Sequence, residues 1–201
     1  MSVFIVFEGA DRVGKTSHLR RCSQFLKENG IDHICTQELS GSEFQNSIKQ
    51  VLMNHDLNTK EELLLISCLR NWHDRCILKP ALAANKWVLM DRYKYSTYAY
   101  QQASDEYLNT EILKVMEQYF WSNLEPNMVF YFKGTARSNN KRDRFEKRSA
   151  CFFKKVKEIY ESLQDDRWSV FSTDEHFECI QQKLEVELSK KIKNYKLLTN
   201  K

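Results

Sequence analysis

The stretch VFEGADRVGKTS, Val6 to Ser17, decides the fold. An apolar run, Val3–Phe7, leads into it, and a helical pattern from Lys15 leads away. Between them, Gly9-Ala10-Asp11-Arg12-Val13-Gly14-Lys15-Thr16 fits G-x-x-x-x-G-K-[ST], the phosphate loop that joins a buried strand to a helix. The two glycines permit the backbone to turn successive N–H groups toward one anion, and the helix N-terminus adds its partial positive charge. Lys15 is placed to reach the outer phosphates of a nucleotide, and the Thr16 hydroxyl to ligate Mg²⁺. Residues Gly9 through Ser17 are therefore the expected triphosphate site. Arg12 stands out, because most of this loop's work is done by bare backbone.

Outward from the loop, short apolar runs at Val88–Met90 and Met128–Phe132 predict further buried strands, with weaker ones at His33–Cys35 and Ser169–Phe171. Helical patterns fill Lys15–Asn29, Ser42–Asn54, Lys60–Asn85, Thr110–Leu124, Phe145–Leu163 and His176–Tyr195, and Gly30 sits where a helix ends. Strands alternating with helices predict a parallel sheet covered on both faces. The fold expected is α/β, a P-loop NTPase fold in three layers with a five-stranded parallel sheet. No linker or repeat divides the 201 residues, so one domain over 1–201 is expected.

The composition is that of a soluble globular chain, 42% hydrophobic and 29% charged. No apolar run approaches the length of a membrane span, and Val3–Phe7 meets Glu8 too soon for a signal peptide. The six cysteines form no Cys-x-x-Cys pair, which points to reduced thiols in the cytoplasm, with a nuclear location left open. The net charge of +4 suits anionic small molecules and does not require nucleic acid. Its C-terminal lysines read as a solvated helix end. The five histidines show no metal or triad pattern, and Trp72, Trp87, Trp121, Phe152 and Phe153 read as core.

A phosphate loop alone does not choose among ATPases, GTPases and kinases. Asn140-Lys141-Arg142-Asp143 matches the guanine-reading Asn-Lys-x-Asp string, yet its strand ends near Phe132 and no separate Asp-x-x-Gly is present. The next strand carries a different signal, VLMDRYKYSTYAYQ over residues 88–101. Asp91 at the strand's end can hold the Mg²⁺ shell, and Arg92 sets a planar fork at the same rim for a second phosphate. Two neighbouring anion sites suit phosphoryl transfer between nucleotides.

The chain here resembles thymidylate kinases. FEGADRVGKTS, KPALAANKWVLMDR, the DRY triplet with STYAYQ, and DRFE followed by FFKKVKEIYESL occur in that family's order and spacing, over nearly the whole chain. The resemblance implies transfer of phosphate from ATP to dTMP with Mg²⁺, a homodimer built on Lys60–Asn85, and a short lid at about 134–148. It implies that Asp11 takes the sugar 3′-hydroxyl, Arg92 the acceptor phosphate, and Arg70 the thymine edge. Thr97 and Gln101 would lie near the base, and Tyr100 would exclude a ribose. Arg144 of the lid would pack on adenine beside the Ser172-Thr173-Asp174 loop. Arg12 resembles the catalytic arginine that eukaryotic and related members carry in the phosphate loop.

Three positions depart from the family pattern. Ile66 stands where a phenylalanine stacks on thymine, and Gln37 and Leu39 replace an arginine and a proline after the second strand. The run from Lys133 to Asp143 is about two helical turns short of the family's helix before the lid, and its Lys141 and Arg142 compete with Arg12 for the catalytic role. The alternatives are a deoxynucleoside kinase, a broader pyrimidine monophosphate kinase, or a non-catalytic nucleotide-binding protein.

Overall fold

The computed structural model describes residues 2–39, 41–134 and 149–199. Strands β1 (Phe4–Gly9), β2 (His33–Thr36), β3 (Trp87–Asp91), β4 (Met128–Lys133) and β5 (Trp168–Ser172) pair in the order β2-β3-β1-β4-β5. Every pairing is parallel. The five apolar runs are thus the five strands, each running a residue or two further at its C-terminal end, although β1 begins at Phe4 and not at Val3. The sheet order reverses about β1, so the loop after β1 opens into the crevice at the C-terminal edge of the sheet.

Helices α1 (Lys15–Glu28) and α8 (Phe177–Thr199) cover one face. Leu19, Cys22 and Leu26 of α1 and Ile180, Leu184 and Leu188 of α8 pack there on Ile5, Phe7, Leu89, Phe130 and Phe132. On the other face, Phe4, Val6, Val88 and Met90 meet Leu78 and Ala81, while Val129 and Tyr131 meet α5 (Lys94–Ser104) and α7 (Ala150–Ser162). Burying each such side chain contributes roughly 1.5–3 kcal/mol. The central strands β1, β3 and β4 are buried on both faces, which is why they read as unbroken apolar runs, while the part-exposed edge strands β2 and β5 read more weakly.

Local chemistry sets the element ends. Gly30, at φ 72°, closes α1: its N–H donates to the Lys27 carbonyl and that of Ile31 to Leu26. That is a Schellman motif, with Ile31 and Leu26 supplying its apolar contact. Helix α2 (Glu43–Asn54) is capped by the Ser42 hydroxyl, and α3 (Thr59–His73) by an Asn58–Glu61 capping box.

The helix expected over Lys60–Asn85 is interrupted. After α3 the backbone widens into a π turn, Asp74–Leu78, before α4 (Lys79–Ala83). Such turns are frequent at functional sites. Here it places Asp74 where Tyr93 and Ser122 both donate to it. The helix expected to Leu124 stops at Phe120 as α6 (Thr110–Phe120), so Trp121 lies past a helix end and not on a helix face.

One helix, α5, has no counterpart in the sequence reading. Its Tyr, Ser and Thr are indifferent helix formers, and Lys94, Tyr95, Thr97, Tyr98, Ala99, Tyr100 and Gln101 are all buried. A helix enclosed on nearly every side shows no amphipathic stripe.

Candidate active site

The phosphate loop lies between β1 and α1. Gly9 has φ 136°, and a Cβ there would stand 2.5 Å from the Phe132 carbonyl oxygen of β4, so only glycine fits. Gly14 caps α1 at φ 95°, and no side chain satisfies the helix start. The first turn therefore keeps N–H groups for an anion. The Lys15 ammonium donates to the Gly9 carbonyl at 3.2 Å and the Ala10 carbonyl at 2.6 Å, folded over its own loop. Burial, and then the charge of Arg92, push it down to about 8.

The Thr16 hydroxyl donates to Asp91 at 2.6 Å. Phe7 on β1 pairs with Asp91 on β3, which fixes that contact across the sheet. Arg92 does not pair with its neighbour Asp91. Its guanidinium turns to Asp11 in the phosphate loop, at 2.6 Å. Tyr100 donates to the same carboxylate at 3.3 Å. Burial of Asp11 favours its neutral form, but Arg92 and Lys15 outweigh this and hold it below the usual carboxylate range. For Arg92, burial opposes the charge, and Tyr100, Asp11, Tyr160 and Glu8 more than offset it.

A cavity of about 360 Å³ opens over these residues. Asp11, Arg12, Lys15, Thr16, Asp91 and Arg92 line its phosphate end. Arg12 is half-buried, at φ 60°. Ile66, Arg70, Thr97, Tyr100 and Gln101 line the rest, so the structure gathers all the acceptor residues that the sequence singles out. Gln37 and Leu39 also face it.

Arg70 is the deepest of them, 1% exposed. Glu38 grips it bidentately, at 2.6 Å and 2.9 Å, and it donates to Thr97 at 2.8 Å. Its guanidinium carbon lies 4.4 Å from the centre of the Trp121 ring and 5.4 Å from that of Tyr93. Among the described residues its Nη1 has no hydrogen-bond partner. A buried donor group left unpaired is costly, so this end of the cavity calls for a ligand acceptor.

Thr173 lies apart from this cavity. Its N–H donates to the Lys133 carbonyl, and its side chain fills the space a Cβ on Gly134 would need. Arg144, the lid at 134–148 beyond Gly134, and the Asn140–Asp143 string lie outside the described residues.

The sequence reading missed several residues here. Lys49 and Met53 of α2 line the cavity, one helical turn apart. Glu38 and Trp121 hold Arg70, although Trp121 reads as simple core. Glu8, one residue before Gly9, is fully buried and accepts from the Tyr93 N–H, the Ser96 hydroxyl and the Tyr160 hydroxyl. Burial raises its pKa against the pull of Arg92. A lone Glu inside an apolar strand was the available signal, since such a group is buried only with partners. Among the described residues, no three His, Cys, Asp or Glu side chains group as a metal site.

A doubly wound parallel sheet, a phosphate loop and a second arginine site opposite it define a P-loop phosphotransferase with room for an acceptor beside the donor. Comparison with known proteins narrows this. The family model described as thymidylate kinase matches residues 7–184. A thymidylate kinase of Acinetobacter baumannii (strain ACICU) is 37% identical over 172 residues, 80% of this chain and 85% of its own. One from Nitrosospira multiformis is 32% identical over 166 residues, 78% and 80% of the two chains. One from Paraburkholderia phytofirmans is 30% identical over 196 residues, 90% and 95% of the two chains. The chain belongs to the thymidylate kinase family.

Proposed function

We propose that the chain, acting as one kinase domain over 1–201, transfers the γ-phosphoryl group of ATP to dTMP with Mg²⁺, forming dTDP. One observation carries this reading. Lys15 of the phosphate loop and Arg92 face the same cavity across Asp11, with the unpaired N–H groups of Arg70 among its lining residues.

In this reading the loop from Gly9 to Ser17 cradles the donor phosphates and Lys15 neutralises the outer ones. Arg92 binds the acceptor phosphate with its fork and Asp11 receives the 3′-hydroxyl. Tyr100, donating to Asp11, fills the space beside the sugar. Arg70 donates to the 4-keto oxygen of thymine, which cytosine, with an amino group there, does not offer. Thr97, Gln101 and Ile66 enclose the base. Arg12 bears on the transferring group, where a cation acts on charge developing in the transition state. Arg144 and Thr173 hold the adenine side.

The residues fit a magnesium ion. Thr16 and Asp91 already share a hydrogen bond at the donor end, which brings a hydroxyl and a carboxylate oxygen to one point. Mg²⁺ prefers few protein oxygens completed by phosphates and water. Thr16 and Asp91 would hold the ion, which would supply positive charge to offset the negative charge of the donor phosphates.

A second copy of this chain is the partner proposed for the face shared by α3 and α6. Leu64 is 62% exposed there, with Val115 at 52% and Tyr119 at 70%. Val115, Tyr119 and the exposed Ile112 fall on one stripe of α6, and Asn71 ties α3 to the Phe120 carbonyl. Sedimentation analysis of wild type and Tyr119→Glu tests this, with a dimer and a monomer expected.

Activity is tested by ADP release with Mg²⁺–ATP and dTMP. Saturable release that stops without Mg²⁺ or without dTMP supports the reading. No release with any nucleoside monophosphate refutes it.

A further inference from the structure

Arg92 has two unusual features. Its backbone is left-handed, at φ 66°, a conformation strained for any residue but glycine. Its guanidinium must also point into the cavity at one rotation if both arms of the fork are to meet a phosphate. One carboxylate bears on both.

The strained turn is pinned on either side. The Arg92 N–H donates to the Phe7 carbonyl at 3.0 Å, and the next N–H, that of Tyr93, donates to Glu8 Oε1 at 2.8 Å. The other oxygen, Oε2, accepts from the Ser96 hydroxyl at 2.7 Å and from Tyr160 at 2.9 Å. Each hydroxyl has a single hydrogen. Ser96 and Tyr160 also lie 2.9 Å from each other, where either can donate; with both hydrogens given to Glu8, both oxygens present lone pairs. Arg92 Nη1 donates into them, at 3.0 Å to Ser96 and 3.5 Å to Tyr160, while Nη2 donates to Asp11 at 2.6 Å. The two arms are therefore set by different acceptors, and Glu8 fixes the polarity of one pair.

We propose that Glu8 is a positioning residue for the acceptor phosphate, holding the strained backbone of Arg92 with one oxygen and orienting its guanidinium through Ser96 and Tyr160 with the other. This rests on the reading of Arg92 as the acceptor-phosphate arginine. Glu8 touches no substrate itself, since it is fully buried behind the arginine. Glutamine in its place could still accept from Tyr93. Its amide would then donate toward Ser96 and Tyr160, reversing the hydroxyls and turning their hydrogens toward the cation.

The test is a double-mutant cycle on Glu8→Gln and Arg92→Lys, read in dTMP and ATP kinetics separately. A misplacement of about 1 Å can cost 10²-fold. Glu8→Gln should accordingly raise the dTMP KM about tenfold and lower kcat about tenfold, while the ATP KM moves less than about twofold. In the Arg92→Lys background the same change should cost less than about threefold, because coupled residues do not add. Equal losses in both backgrounds, or a matching rise in the ATP KM, would overturn the proposal and leave Glu8 a purely structural tie.

Should Glu8→Gln fail to fold, Ser96→Ala removes one of the two hydroxyls that link Glu8 to Nη1 and leaves the Glu8 contact with Tyr93 in place. It should reproduce the acceptor-side pattern at about three- to fivefold, and unchanged dTMP kinetics would overturn the proposal. The functional reading fails separately: wild type that does not phosphorylate dTMP refutes it, and the cycle is then run with whichever monophosphate wild type accepts.

Discussion

The donor side of the cavity is built from backbone, whereas the acceptor side is built from buried side chains that hold one another. From Gly9 to Gly14 the chain needs two left-handed or extreme glycine conformations and an uncapped helix start, all within a few consecutive residues. On the acceptor side Arg92 is held by Asp11, Ser96 and Tyr160, and Arg70 by Glu38 and Thr97 above the Trp121 ring. Those partners come from the phosphate loop, the segment after β2, α5, α7 and the end of α6. A backbone cradle depends on few neighbours, and substitutions around it should act independently. A side-chain lattice has shared members, so substitutions within it should couple.

The largest effect should come from the donor side. Lys15→Ala removes the charge on the outer phosphates and should lower kcat by on the order of 10⁴-fold, measured by single-turnover phosphate transfer on folded protein. Near-normal transfer would remove the phosphate loop from the reaction. Arg12→Ala comes next, at about a thousandfold in kcat with ATP affinity nearly unchanged, because its contribution belongs to the transition state. The paired Lys141→Ala and Arg142→Ala variant should lose far less. If the order were reversed, the lid would supply the cation and the donor side would not be self-sufficient.

Acceptor-side changes should be smaller and split differently. Arg92→Lys keeps the charge and loses the fork, so the dTMP KM should rise and kcat fall, each about tenfold. Steady-state kinetics with dTMP varied at saturating ATP reads both, and unaltered constants would mark Arg92 as structural. The smallest effect should be a gain. Ile66→Phe restores a ring where the cavity wall is aliphatic, and base stacking is worth roughly 1–3 kcal/mol. A dTMP KM lowered about fivefold or more would sharpen the comparison. A raised KM would show that the wall is packed against a ring.

The same contrast explains what could be read from sequence. The phosphate loop and the five strands were legible because each is a local pattern, and Asp91 and Arg92 because they close a strand, whereas Arg70, Thr97, Tyr100 and Gln101 lie on helices and were singled out only by the family resemblance. Helix α5 was not, because its residues are buried all round and leave no periodicity. The π turn at Asp74–Leu78 keeps helical composition and gives no local sign. Glu38, Glu8 and Trp121 acquire their roles only through partners 32, 85 and 51 residues away, namely Arg70, Tyr93 and, for Trp121, Arg70 again. The Asp11–Arg92 pair is of the same kind, since 81 residues separate its members.

One cavity joins the phosphate loop to Arg92 and Arg70, the residues proposed for the phosphate and the keto edge of dTMP. The most direct measurement is coupled ADP release with Mg²⁺–ATP against dTMP, dCMP and thymidine in turn. The highest kcat/KM is expected with dTMP, at least about a hundredfold less with dCMP, whose amino group meets the Arg70 donors, and no turnover with thymidine, which offers nothing to Arg92. Thymidine turned over faster than dTMP, or dCMP matching it, would rule out these roles for Arg92 and Arg70.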